Sequence, residues 1–277
     1  MYDLKDYRQR KGDASMLEET IEELERHISK LLKMPKEERL RRFKIAQGYL
    51  DCAKYDIEAA KILYESKINS LAVYHLQQAI EKECKSVAIA LLYVHPDKVK
   101  KEIYHKSPLA FVRLVQSTPV VELVKSLGVV GIRTDIENLE KMIEDRKKRE
   151  KVLRASKEEI DDLLEILENY KKTMSNEKLI ADMEPWIKLI GEIFNIDIDA
   201  KTILELTNSF IDIYILSCIT FPHWLSTRYP DQSLKPNEYR GGLGILDYFK
   251  KLLELGERSM ESIEKYISIV MSENHQS

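Results

Sequence analysis

Glycine and proline are scarce in this chain, 9 and 8 among 277 residues, which disfavours a fold built on tight turns and favours long helices. No segment alternates apolar and polar residues for long enough to make a sheet. The three cysteines, Cys52, Cys84 and Cys218, are odd in number, lack paired spacing and fall in apolar helical patterns, as expected of reduced packing residues. The chain has no Gly-x-x-x-x-Gly-Lys or Gly-x-Gly-x-x-Gly, so a phosphate-cradling glycine loop is excluded. The absence of His-Glu-x-x-His and Cys-x-x-Cys removes the strong zinc signals, and no cofactor or metal is expected. Long apolar runs are missing as well. The windows Val87 to Val94 and Phe210 to Phe221 are too short or carry Asp212, so no membrane span is expected. The start MYDLKDYRQRKGD has no apolar signal core, which points to a cytoplasmic protein. Net charge is only −3 although 33% of residues are charged, so any contact with nucleic acid must be local.

What the chain does have is helical periodicity. From Asn69 to Val94 the residues Val73, Leu76, Ile80, Cys84, Val87, Leu91 and Val94 recur at spacings of three and four, the stripe of one helix. Ala72, Ala79, Ser86 and Ala90 form a second face of small residues that admits a close neighbour. Gln77, Gln78, Glu81, Lys82 and Lys85 make a polar girdle in the middle, and beyond Lys85 the segment is apolar nearly all round. A helix of that kind needs a bundle to wrap it.

Its neighbours read the same way. Ser15-Met16-Leu17-Glu18 is a capping box that opens an amphipathic helix carrying Leu17, Ile21, Leu24, Ile28, Leu31 and Leu32. Pro35 sits just inside the start of a helix to about Ser66, with Phe43, Ala46, Leu50, Ala53, Ile57, Ala60 and Leu63 on one face. The short turn after it makes that helix and the central one antiparallel, with Asn69 as a cap. His95-Pro96-Asp97 stops the central helix. Tyr104 to Pro108 opens a helix through Gln116, and Thr118-Pro119 opens another that ends at Gly128. From Arg133 to about Lys178, charges of both signs alternate with narrow apolar seams, broken near Ala155 and recapped by Ser156-x-x-Glu159; this reads as a charged helical hairpin projecting from the bundle. A short helix follows at Met183 to Phe194, then a strongly apolar one from Asp199 to Trp224, a loop to Gly244 and a last helix from Ile245 to Met271. The expected fold is all-α, an up-and-down antiparallel bundle. Its parts are an N-terminal amphipathic helix (1–35), a first part of the bundle (36–132), a helical insertion (133–198) and a second part (199–277).

The string AVYHLQQAIEKECKS, preceded by Ala46, Leu50, Ala53, Asp56 and Ala60 at their spacings and followed far downstream by Arg228-Tyr229-Pro230-Asp231, resembles the HEPN domain over roughly residues 40–117 and 205–270. The resemblance implies a small all-α bundle associated with nucleotide or RNA binding, a homodimer, and a small nucleotidyltransferase as working partner in a toxin–antitoxin-like setting. Ribonuclease members of that family carry an arginine four to six residues before a histidine, the guanidinium steadying phosphate charge and the imidazole moving protons. None of His27, His75, His95, His105, His223 and His275 has an arginine so placed. The leading expectation is therefore a non-catalytic binding module.

The candidate ligand-binding residues are Gln78, Lys82 and Lys85, which share a face of the central helix, with Arg228 to grip phosphate and Tyr229 or Trp224 to stack on a base. Glu81 and Lys85, four apart, can also pair with each other, and Arg228 can instead pair with a helix carboxylate while Tyr229 packs on the bundle. His75 reads as a satisfied helix residue. The alternatives are a divergent metal-independent ribonuclease using His223 with Arg228, and a helical scaffold that recruits protein through its charged hairpin.

Overall fold

The computed structural model describes residues 34–91, 94–99, 145–174, 188, 199–230 and 232–273. Among them there are eight α-helices and no strand, an all-α architecture. The capping box at Ser15 and the helices expected after Tyr104 and Thr118 and at Met183 to Phe194 lie outside the described residues, save for Lys188.

Helix α1 (Lys36–Glu65) and helix α2 (Asn69–Ala90) run antiparallel through a turn in which Lys67 takes a φ of 61°. Pro35 stands at the cap of α1 rather than inside it, with Glu37 and Glu38 in the first turn where the helix dipole favours anions. The small residues expected to admit a neighbour do so: Ala72, Ala79, Ser86 and Ala90 of α2 are buried, as are Ala46, Ala53 and Ala60 of α1. Ser86 Oγ donates to Ala46 O at 2.8 Å, so the two backbones approach within one side chain's reach. Asn69 does not cap α2. It is the first helical residue, and its amide donates to Tyr239 O at 3.0 Å, tying the α1–α2 corner to a distant loop. Helix α2 stops at Ala90, short of Val94, and His95 caps a 3₁₀ turn (Pro96–Lys98) by accepting from the Asp97 amide.

Helices α3 (Arg146–Leu153) and α4 (Lys157–Met174) come from the charged region. The break falls where the sequence places it. Glu159 and Ser156 exchange the two capping-box bonds at 3.0 and 3.3 Å. The expected projection does not hold for α4, because Ile160, Leu164 and Leu167 are fully buried and belong to the central core. Those three residues, at spacings of four and three, are seam enough to bury about 1.5–3 kcal/mol each, which outweighs the solvation of the charged face.

Helix α5 (Ala200–Thr220) begins where Asp199 accepts from the Thr202 amide at 2.6 Å. It is followed by the single turns α6 (His223–Ser226) and α7 (Gly244–Asp247), a 3₁₀ turn (Pro236–Glu238) and helix α8 (Phe249–Glu273). The long helices α1, α2, α5 and α8 meet at Gly256 of α8, where a Cβ would lie 3.4 to 3.9 Å from Ile57, Ile80 and Leu216. At Gly244 a Cβ would come within 2.3 Å of Ser156 O, and the Gly244 amide donates to Ala155 O at 2.8 Å, so only glycine lets α7 dock on the start of α4. Cys84 and Cys218 are buried as expected, but Cys52 is exposed. Among the described residues, no helix is long and apolar enough to cross a membrane.

Candidate functional site

Helix α2 carries the site, because its polar girdle faces the groove between α1 and the turn after α5. Along this face Tyr74, His75, Gln78, Lys82 and Lys85 follow one another at helical spacing. The turn is set by α6: the Arg228 and Tyr229 amides both donate to Leu225 O at 3.0 Å, which closes the chain back on itself and brings Arg228 out to the surface.

Arg228 lands on α2. Its guanidinium carbon lies 5.1 Å from the Tyr74 ring, 5.2 Å from Tyr229 and 5.8 Å from Trp224, and its Nε donates to Trp224 O at 3.1 Å. Three aromatic faces and one carbonyl thus hold the cation, and it makes no ion pair with a described residue. Tyr229 is about half exposed, at 46%. Gln78 lies one helical turn, about 6 Å, from Tyr74 along α2.

The two lysines do not make the basic cleft expected of them. Lys82 Nζ pairs with Asp56 Oδ2 of α1, and Lys85 Nζ donates to Glu81 Oε1 at 2.6 Å. Gln78 donates to Gln77 at 2.7 Å, and Gln77 to Glu81 at 3.3 Å, so the girdle closes into a chain of hydrogen bonds. A carboxylate within reach of each ammonium cancels its charge, which leaves Arg228 as the cation offered to a ligand.

His75 is held by Asp56, whose Oδ1 accepts from Nδ1 at 2.9 Å. One carboxylate therefore serves both His75 and Lys82. The imidazole meets Tyr74 edge-on, with 5.3 Å between ring centres. Its value as a neighbour of Arg228 was hidden in the sequence, where Asp56 and Tyr74 had no assigned role.

His223 is not available for proton transfer. The side chain is 1% exposed, its Nδ1 lies 2.9 Å from the Tyr239 hydroxyl, and its Nε2 has no hydrogen-bond partner. Burial alone pushes its pKa down to about 3, so the ring is neutral and enclosed at neutral pH. This corrects the pairing of His223 with Arg228 as acid–base and phosphate groups: they share a turn, yet one faces the core and the other water.

Sequence reasoning also missed Glu83, which is fully buried. On a helical wheel it falls among Leu76, Ile80, Val87 and Ala90, in the middle of the apolar stripe, and that position was the available signal. No group of three or more potential metal ligands occurs among the described residues.

The family model of the HEPN domain matches residues 46–103, a stretch that includes all of α2 and both Asp56 and His75. The match bears out the resemblance read from AVYHLQQAIEKECKS and links this part of the chain to nucleotide- and RNA-related function in general. It covers part of the first of the two resembling stretches. No curated protein and no solved structure matches the chain.

Proposed function

We propose that this HEPN-type bundle is a non-catalytic module that binds a nucleotide or RNA at the Arg228 patch. The observation that carries the reading is the guanidinium itself, exposed on a platform of Tyr74, Trp224 and Tyr229 and without a carboxylate from any described residue. A guanidinium offers paired donors to phosphate oxygens, and an adjoining half-exposed tyrosine gives a base a face to stack on. The enclosure of His223 argues against cleavage by that residue. Calorimetric titration with AMP, ATP and a short oligoadenylate tests the proposal. Arg228→Ala should weaken binding at least tenfold, and Tyr229→Ala by about 1–3 kcal/mol if a base stacks there. Equal affinity in the wild type and Arg228→Ala, or no titration with any of the three, would sink it.

Assembly with a second copy and with a nucleotidyltransferase, which the resemblance implies, belongs to the same proposal. Tyr55 and Ile62, seven residues apart on one face of α1 and 77% and 62% exposed, supply an apolar stripe suited to a protein contact. Light scattering that returns the mass of one chain would dismiss the homodimer.

A further inference from the structure

We infer that the anion of the Arg228 patch binds together with one proton, taken up at His75. The inference rests on the reading of that patch as a phosphate site and adds a residue and a regulation to it.

The geometry begins with Tyr74. Its ring has His75 on one side, 5.3 Å away and inclined at 71°, and the Arg228 guanidinium on another, at 5.1 Å. An imidazole and a guanidinium that share one ring as neighbour can both reach a single phosphate-bearing ligand.

The tautomer follows from Asp56. Its Oδ2 receives the Lys82 ammonium, and its Oδ1 lies 2.9 Å from His75 Nδ1. An ionised carboxylate only accepts, so Nδ1 carries the hydrogen. A neutral imidazole has a single N–H, and its other nitrogen, Nε2, then presents a lone pair. The His75 side chain is 31% exposed and no described residue bonds to Nε2.

A phosphate oxygen is also an acceptor, and two lone pairs repel. The phosphate can therefore engage His75 only when Nε2 gains a proton, which turns it into a donor and adds a positive charge. The groups around it are Asp56 from α1, Lys82 and Tyr74 from its own helix, and Arg228 beyond Tyr74. Asp56 and Lys82 cancel each other, so the new charge acts on the ligand alongside Arg228. Imidazole is the one side chain in this set whose ordinary range lies near neutrality.

The sign of the linkage is fixed. A ligand that prefers the imidazolium binds more tightly as pH falls through the imidazole range, and above that range each binding event draws a proton from the buffer.

The test is calorimetry of the full chain with a short oligoadenylate, whose internal phosphodiesters do not titrate near neutrality. Titrations at several pH values in two buffers of different ionisation enthalpy count the protons. Uptake should approach one per ligand above the imidazole range, with affinity falling up to about tenfold per pH unit. In His75→Gln the uptake should vanish and the affinity become flat in pH, whereas Arg228→Ala should weaken binding at every pH. Binding without proton uptake overturns the inference and leaves the Arg228 site standing. So does uptake that survives in His75→Gln, or a preference for oligoadenylate over oligodeoxyadenylate without uptake, the mark of a ribose hydroxyl donating to a neutral Nε2. Failure of the wild type to bind at all overturns both readings.

Discussion

Glu81 and Glu83 stand two residues apart on α2, and 200° of helical rotation sends them into opposite surroundings. Glu81 lies at the girdle, almost covered, where Lys85 donates to it at 2.6 Å and Gln77 at 3.3 Å. Glu83 is fully enclosed on the inner face, and neither of its carboxyl oxygens receives a hydrogen bond. The neighbouring Ser259 spends its hydroxyl hydrogen on Gly256 O at 3.0 Å, and the nearby Asp212 is a second acid. Burial drives the Glu83 carboxyl well above the usual range, with the Asp212 charge adding to it. A protonated Glu83 can donate to Ser259 Oγ, which an ionised one cannot. The same side chain is thus a charged partner on one face and a neutral acid on the other; surroundings, and not residue type, decide which.

Asp212 tests the inner face hardest. It is 1% exposed, yet it holds Lys171 at 2.5 Å and Arg258 through contacts of 3.0 and 3.2 Å. Burial still leaves its carboxyl above the ordinary value despite both cations. Through Lys171 it joins α4 to α5, and through Arg258 it joins α5 to α8. Asp212→Ala removes the anion and leaves the largely buried Lys171 uncompensated. The expected loss is about 3–5 kcal/mol, read from urea denaturation at neutral pH. A loss under about 1 kcal/mol would mean that water reaches this layer and that the contrast between the two faces of α2 is overstated.

Glu83→Gln comes next and has the opposite sign. The folded carboxyl titrates above its unfolded value, so wild-type stability is fully present below pH about 4.5 and declines as pH rises toward the folded pKa. The decline for one proton is about 1.4 kcal/mol per pH unit over that window. The amide carries no charge to bury, and it keeps a donor for Ser259. Glu83→Gln should therefore flatten that decline and equal or exceed the wild type at pH 8, as urea midpoints at pH 5 and 8 will show. A variant weaker than the wild type at both values would break the assignment of a neutral acid.

These two residues also mark how far the sequence could be read. Spacings of three and four locate α1, α2, α5 and α8, and Ala72, Ala79, Ser86 and Ala90 point to the face where α1 would come close. Ser156 with Glu159, and Asp199, mark starts that the backbone uses. Each of these signals is local, because a helix's period and its end are decided within a few residues. The partners were not legible. Whether Lys82 meets a ligand or Asp56 depends on where a helix 26 residues earlier lies against it. The docking of α4 turns on Lys171 finding Asp212 and on Gly244 leaving room for Ser156 O. The arrival of Arg228 beside Tyr74 is likewise a property of the closed bundle; the chain order states only that both residues exist.

The smallest effect makes the comparison sharpest, since it applies one chemical change to both faces. Glu81→Gln removes a charge next to Lys85, whose side chain is 15% exposed, but leaves an oxygen to accept from Lys85 and Gln77. What is lost is the charge assistance of one hydrogen bond, and the expected cost is about 1 kcal/mol at pH 8. Screening should reduce that cost only modestly in high salt, because water has little access to the pair. At pH 8, then, glutamine should destabilise at position 81 and be neutral or stabilising at position 83, within one helical turn. The two substitutions have the same volume and nearly the same helix propensity, so neither packing nor backbone preference can produce a difference of sign between them. Only the state of the carboxyl can, which makes the sign at pH 8 a direct measure of whether α2 keeps one acid charged and the other neutral.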